Sequence, residues 1–334
     1  MGRLAGTSTA VVSYVLNGGP RPVSDKTRIK VEEAIRMLGY RRNPLAGALS
    51  GGRSNLIGLL VPDTANAFFG ELSRCIEAEG RRRGLLTLLG NTGYHSSLGD
   101  DYGKAFSELR PRGIFVTTGE EPRQEDETPR VYVQWASPDS TSPSVTFNDL
   151  QGAALVVEHL IRHGYEDIVC VAGELEAGPA KGREGGWRQA MRSAGLPTEG
   201  RLIRSSFDRV EAERAVRQVL ESGNRPRAIY ATTDEQALVT IRTATNLGLR
   251  VPDDLAVVGF DGIREARLGS FPLTTISLPF EQLAVRAFDA LDETFYEGGG
   301  SGASVVLDGT LSIGVTCGCE QGSDASRLGV ATGG

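Results

Sequence analysis

From Asn55 onward the chain keeps switching between two hydrophobic periods, and this limits its architecture more than any other feature. Short apolar runs at 56–61, 85–89, 113–116, 131–133, 168–172, 228–231 and 255–259 are separated by amphipathic stretches at 68–82, 150–162, 186–194, 211–221 and 235–247. An apolar run without polar alternation is a strand covered on both faces, and a helix after each strand is the crossover that parallel pairing needs. The body is therefore expected to be α/β, with parallel sheets flanked by helices. It is too long for one comfortable doubly wound sheet, so two lobes are expected. A ligand would then sit in the cleft at the carboxyl ends of the strands.

The preceding segment is different in kind. The 334 residues carry a net charge of −6. Residues 1–55 nevertheless contain Arg3, Arg21, Lys26, Arg28, Lys30, Arg36, Arg41, Arg42 and Arg53 against Asp25, Glu32 and Glu33. A head of +6 on a body of −12 points to a polyanionic partner for the head. On a helical wheel, Val11, Val12, Val15 and Leu16 fill one arc, while Thr9, Ala10, Ser13, Tyr14 and Asn17 fill the other. Ala5-Gly6 supplies a corner ahead of this helix, with Thr7 or Ser8 as N-cap, and Asn17-Gly18-Gly19-Pro20 stops it. A second helix starts at Ser24 and carries Val31, Ala34, Ile35 and Leu38 as its packing stripe before Gly39. That stripe can cover the valine face of the first helix and leave its other face free to read a partner, as in a helix-turn-helix, where one helix enters the major groove of DNA.

The segments LAGTSTAVVSYVLNGG and VSDKTRIKVEEAIRMLGYRRNPLAGALSGGRSNLIGLLVP resemble the head and hinge of the lac repressor (LacI/GalR) family of bacterial transcription regulators. The body resembles that family's two-lobed, periplasmic-binding-protein-like core at GLLVPDTANAFFGEL, VVEHLIRHGYEDIVCVAG, AIYATTDEQALVTIRTATNLGLRVPDDLAVVGFDG and LTTISLP. The resemblance implies a small all-α helix-turn-helix head over 1–42, a hinge over 43–54, an effector-binding and dimerisation core over 55–318, and a flexible tail over 319–334. The first lobe would be 56–147 plus 277–304. Relatives carry several more residues ahead of the equivalent of Arg3-Leu4-Ala5, so the native chain is expected to start further upstream; otherwise the head lacks part of its core.

The same resemblance gives roles to residues. Thr9, Ala10 and Tyr14 would read bases, and Ser8, Ser13, Asn17, Thr27 and Arg28 would lie near phosphates. Leu49, with Ala46 beside it, would wedge into the minor groove. Phe68 and Phe69 follow the first strand and can stack on a flat or sugar-like ligand, Phe68 being the better placed of the two. Arg183 and Asp261 sit at a helix start and a strand end, where a guanidinium and a carboxylate can clamp hydroxyls. Asp234 either caps a helix or touches ligand. Gln134 and Thr233 stand where relatives carry aspartate and asparagine; with Trp187 and Tyr230 they complete the expected effector set. The expected partners are a palindromic double-stranded DNA operator, a small effector, by default a sugar, and a second copy of the chain.

Chemistry of other kinds has little footing. The sequence contains no G-x-x-x-x-G-K-[ST], H-E-x-x-H or G-x-S-x-G, and no G-x-G-x-x-G after a strand, so an enzyme is not expected and no cofactor is implied. His159 and His163 are one helical turn apart without an obvious third ligand, which reads as helix-end histidines rather than a metal site. Cys317-x-Cys319 reads as an exposed, inert pair. No apolar run spans a membrane and no export signal precedes the head, so a cytoplasmic protein is expected. The competing reading is a solute-binding protein of the same body plan that does not bind DNA effectively.

Overall fold

A computed structural model describes residues 1–17, 22–39, 53–119, 128–136, 142–174, 177–206, 209–269, 271–296 and 304–319. The chain divides into two compact units, 1–54 and 55–334.

The head holds three helices, α1 (Gly2–Ala5), α2 (Thr9–Asn17) and α3 (Asp25–Met37). Gly6 ends the first in a left-handed conformation, φ 62°, that glycine adopts without cost. Ser8 accepts the Val11 N–H at 3.3 Å and Ser24 accepts that of Thr27 at 3.4 Å, so both following helices start at hydroxyl caps. Ala5, Val12, Val31 and Ala34 form the core, with Met1, Val15 and Ile35 packed against it. Of the face expected to pack, Val12 is buried in this core, Val15 packs against it and Val11 is half-buried, while the Leu16 side chain lies outside those described. Leu38 departs from expectation: it lies past the last turn of α3 and stays 54% exposed.

The body contains two six-stranded sheets. The first has the order β11 (Ser304–Leu307), β5 (Ser144–Phe147), β4 (Arg130–Val133), β3 (Gly113–Val116), β1 (Leu56–Val61), β2 (Leu86–Asn91), all parallel. The second runs β12 (Thr310–Ser312), β10 (Thr274–Ser277), β9 (Ala256–Asp261), β8 (Ala228–Ala231), β6 (Ile168–Ala172), β7 (Leu202–Arg204), with only β12 antiparallel. Strand order skips in sequence because helices make the crossovers: α4 (Ala67–Arg82) and α5 (Ser96–Glu108) in the first lobe, α6 (Asp149–Arg162), α7 (Gly178–Ser193), α8 (Arg209–Leu220), α9 (Asp234–Asn246) and the short α10 (Arg264–Leu268) in the second. After β10 the chain returns to the first lobe as α11 (Phe280–Tyr296) and β11, so that lobe runs past residue 304 to Leu307.

The lobes exchange chain near Asn148, Leu278 and Asp308. The Asn148 N–H donates to the Leu307 carbonyl at 2.9 Å and its side-chain amide to Asp308 at 3.0 Å, tying two of these crossings together. Among the described residues no helix is long and apolar enough to cross a membrane.

The glycine-rich stretch ahead of Gly186 is helical from Gly178, eight residues earlier than its composition suggests. Glycine disfavours helix, and here packing overrides that preference. A Cβ on Gly186 would collide with the Leu150 carbonyl oxygen and lie 2.7 Å from the Ala153 Cβ. Helices α6 and α7 thus approach almost backbone to backbone, which brings Arg183 over the start of α6.

Candidate effector cleft and DNA-reading head

Parallel strands in each lobe place their carboxyl ends together, and a cavity of about 410 Å³ opens there. From the first lobe it is lined by Pro62, Thr92, Thr117 and Gln134, each one residue beyond the end of β1, β2, β3 and β4. Thr232, Thr233 and Asp261 come from the ends of β8 and β9, and Arg183 from α7. Phe68, Phe69, Tyr94, His95 and Trp135 supply rings.

Arg183 is the centre of the polar wall. Its side chain is 3% exposed, and its Nε donates to Asp149 Oδ1 and its Nη1 to Asp261 Oδ1, both at 2.8 Å. Nη1 also donates to the Thr232 carbonyl at 2.8 Å, and the guanidinium carbon lies 4.0 Å from the centroid of Phe260. Burial alone would disfavour the charged guanidinium, but Asp261 and Asp149 overcome it and hold Arg183 above its ordinary value. Burial pushes the carboxyls of Asp149 and Asp261 up, against the lowering pull of Arg183. Arg183 Nη2 has no hydrogen-bond partner, and neither do Gln134 Oε1 and Thr92 Oγ1, both also facing this cavity. A buried polar atom left unpaired costs about 1–3 kcal/mol, so the wall is set to receive groups that satisfy it.

The backbone is strained at the same place. Of the four non-glycine residues with positive φ among those described, Tyr94 at 62°, Gln134 at 73° and Asp261 at 130° line the cavity. Such conformations persist only where surrounding structure fixes them, and they aim these side chains inward. Trp135 packs against both Gly119 and Gly178, where a Cβ on either would overlap its ring, so residues of both lobes meet on this indole. The Ala67 N–H donates to Glu235 Oε1 at 2.9 Å, a second polar link between the lobes.

Phe68, Phe69, Gln134, Arg183, Thr233 and Asp261 thus face the cavity as expected. The two phenylalanines are equally covered, at 5% and 7%, and Phe68 packs on Phe280 at 5.3 Å between centroids, so the expected advantage of Phe68 is not seen. Three expected contacts belong to the core instead. Trp187 is fully buried and its indole N–H donates to the Ile168 carbonyl at 3.3 Å, because it lies one helical turn beyond Arg183 and faces the sheet. Tyr230 points into the second lobe from the middle of β8 and is fully buried. Asp234 neither caps α9 nor lines the cavity. Thr233 is the cap, accepting the Gln236 N–H at 3.2 Å, while Asp234 accepts the Ile263 N–H at 2.9 Å and the Thr275 hydroxyl at 2.5 Å. Asp149 was missed because an acid in the first turn of a helix reads as a partner for the helix dipole. Thr92, Thr117 and Trp135 carried a usable signal, since each follows a strand of the first sheet.

In the head, Ser8, Thr9, Ala10, Ser13 and Arg28 are exposed, and Tyr14 and Thr27 are half-buried. Ser8 and Thr27 are engaged in the caps. Asn17 is the last residue of α2, and Ala46 and Leu49 lie outside the described residues. Two further expectations fail on geometry. Cys317 and Cys319 are buried, at 0% and 7% exposure, and they lie beside His159 and His163, so the histidine pair does have sulfur neighbours.

Residues 2–43 match the family described as bacterial regulatory proteins, lacI family, and residues 157–317 match a periplasmic binding protein-like domain. The chain is 32% identical over 290 residues to the HTH-type transcriptional regulator DegA of Bacillus subtilis, covering 84% of this chain and 86% of the relative. The chain belongs to the lacI family. The ribose operon repressor of Escherichia coli is 34% identical over 297 residues, covering 86% and 90%. A lac repressor dimer bound to operator and the anti-inducer ONPF superposes with a TM-score of 0.81 at 25% identity, covering 94% of this chain and 97% of that one. These lacI-family relatives regulate transcription and are not enzymes, and this chain is a ligand-controlled, DNA-binding regulator of the same kind.

Proposed function

We propose that the chain binds a palindromic operator as a two-fold dimer and that a small polyhydroxylated molecule of the sugar class, held in the cleft, controls that binding. The observation that carries the ligand class is the donor left over on Arg183. A guanidinium already held by two carboxylates offers Nη2 to a hydroxyl at no further cost in ordering, while Gln134 Oε1 and Thr92 Oγ1 face the same space. Rings of Phe68, Tyr94 and Trp135 suit the apolar faces of a pyranose or furanose.

In the head, Thr9, Ala10 and Tyr14 would read base edges in the major groove, with Ser8, Ser13, Asn17, Thr27 and Arg28 near phosphates. Ala46 and Leu49 would enter the minor groove in the hinge. One head is too small for tight specific binding, so two must act together. A ligand that binds one arrangement of the lobes better than another would change whether both Leu49 side chains insert at once; a coupling of about 1–3 kcal/mol, or about 5–150-fold, is the usual range. Ligand is expected to relieve repression.

Calorimetric titration of the purified chain with pentoses, hexoses, disaccharides and flat heterocycles tests the ligand class. One sugar or polyol should bind one site per chain, with binding abolished by Asp261→Asn. Binding confined to heterocycles, or sugar binding indifferent to Asp261→Asn, would contradict it.

A further inference from the structure

Helix α6 has its first turn at the cleft, where Asp149 holds Arg183, and its last turn at a cluster of a different chemistry. His159 and His163 lie four residues apart on one face of that turn, with ring centroids 4.7 Å apart. The chain returns to them after β12. Gly318, with φ 96°, bends the Cys317-Gly318-Cys319 segment so that both thiols reach the imidazoles.

His159 Nε2 lies 3.3 Å from Cys317 Sγ and 3.5 Å from Cys319 Sγ, and His163 Nε2 lies 3.0 Å from Cys319 Sγ. All four donor atoms fall within 4.8 Å of one another. Around a tetrahedral Zn²⁺, with Zn–N of about 2.0–2.1 Å and Zn–S of about 2.3 Å, neighbouring donors are separated by about 3.3–3.8 Å. The four atoms are thus already near the vertices of such a site.

We propose that His159, His163, Cys317 and Cys319 form a closed, tetrahedral Zn²⁺ site that fastens the 315–319 segment to the end of α6. Two thiolates and two imidazoles are a borderline-soft set that suits Zn²⁺ and not the oxygen-seeking Mg²⁺ or Ca²⁺. Four protein donors leave no vertex for water, so the role is structural. The surroundings are those of a built site. His159, Cys317 and Cys319 are buried, exposed His163 gives the ion an entrance, and the Thr274 hydroxyl donates to Cys317 Sγ at 3.0 Å, orienting that sulfur. Binding Zn²⁺ to two thiols and two neutral imidazoles releases two protons to solvent, with no change in oxidation state.

The test is titration of the reduced, metal-stripped full chain with Co²⁺, read by absorbance and then displaced by Zn²⁺. The expected result is one Co²⁺ per chain, with thiolate-to-cobalt charge transfer in the near ultraviolet and the intense visible bands of tetrahedral cobalt. One equivalent of Zn²⁺ should remove both signals and raise the melting temperature. Cys319→Ser and His163→Ala should each weaken binding at least tenfold, while Cys75→Ala keeps it. His163 is exposed, so His163→Ala reports on the site even where loss of a buried cysteine impairs folding. Weak octahedral spectra, no binding to reduced protein, or charge transfer surviving in both His163→Ala and Cys319→Ser would overturn the proposal. So would a quantitative Cys317–Cys319 disulfide in protein purified anaerobically with zinc present.

Discussion

Arg183 sits among more negative charge than it can balance, and this makes its neighbours unequal under mutation. Asp149 and Asp261 each contact it at 2.8 Å, and buried Asp234 stands behind Asp261, its N–H 3.4 Å from Asp261 Oδ2. Arg183→Met keeps the stem of the side chain but leaves buried carboxylates with no cation. Breaking a buried ion pair from one side costs about 3–5 kcal/mol. In a chain of this length each kcal/mol lowers the melting temperature by about 2–4 °C, so a fall on the order of 6–20 °C is expected. Asp261→Asn leaves the Arg183–Asp149 pair intact and removes a carboxylate whose charged form burial already disfavours. Its cost should stay below about 1.5 kcal/mol, the size of one ordinary hydrogen bond. Urea and thermal unfolding at neutral pH would measure both variants. Equal destabilisation of the two, or an Arg183→Met protein within about 1 kcal/mol of the parent, would refute this account of the charge balance.

Other consequences can be checked as directly. Gly186→Ala drives a methyl into the Leu150 carbonyl oxygen and the α6 backbone, neither of which can move aside cheaply; unfolding should show a loss of about 1–3 kcal/mol or more. Hydrogen bonds from Arg82 and Arg83, each at 2.6 Å, hold the Glu79 carboxyl down at about 2 against the opposing effect of burial. Because the folded value lies below the unfolded one, this stabilisation is complete above about pH 4.5 and disappears as pH falls towards 2; Glu79→Gln should flatten that part of the stability profile. Leu49→Ala should weaken binding to the specific operator while sparing weak, salt-sensitive binding to arbitrary DNA, and equal loss of both would remove the wedge role. Tyr14→Phe should change base preference in a selection from random duplexes if the Tyr14 hydroxyl takes part in readout.

Much of the body could be read from residue order because its central strands are uninterrupted apolar runs. The bounds of β1, β3, β6 and β8 coincide with the runs at 56–61, 113–116, 168–172 and 228–231. Strands β5, β10, β11 and β12 were not legible, since each is short and carries serine or threonine. In the fold those hydroxyls find partners, as Ser144 with Ser304 at 3.2 Å and Thr275 with Asp234. Tertiary pairing rather than local pattern makes these segments strands.

The candidate site divides in the same way. Asp261 could be picked out by the strand-end rule and Arg183 by the expected helix start in the glycine-rich stretch, although the helix begins at Gly178 and holds Arg183 in its second turn. Asp149, 34 residues from Arg183, and the meeting of His159 with Cys317 across 158 residues depend on which helices lie together, which no local spacing records. Trp187 and Tyr230 show the converse error: the resemblance implies ligand contacts at both, yet the space they fill is the core of the second lobe.

The central claim is that occupancy of the cleft governs the grip on DNA. It is tested most directly by fluorescence anisotropy of the full chain on its selected palindromic duplex, at fixed physiological salt, with and without the ligand found by calorimetry. The ligand should shift the dissociation constant by about 5–150-fold in the parent protein, and Asp261→Asn should bind the duplex as tightly as the parent while showing no shift. An unchanged dissociation constant in the parent protein, or the same shift in Asp261→Asn, would contradict it.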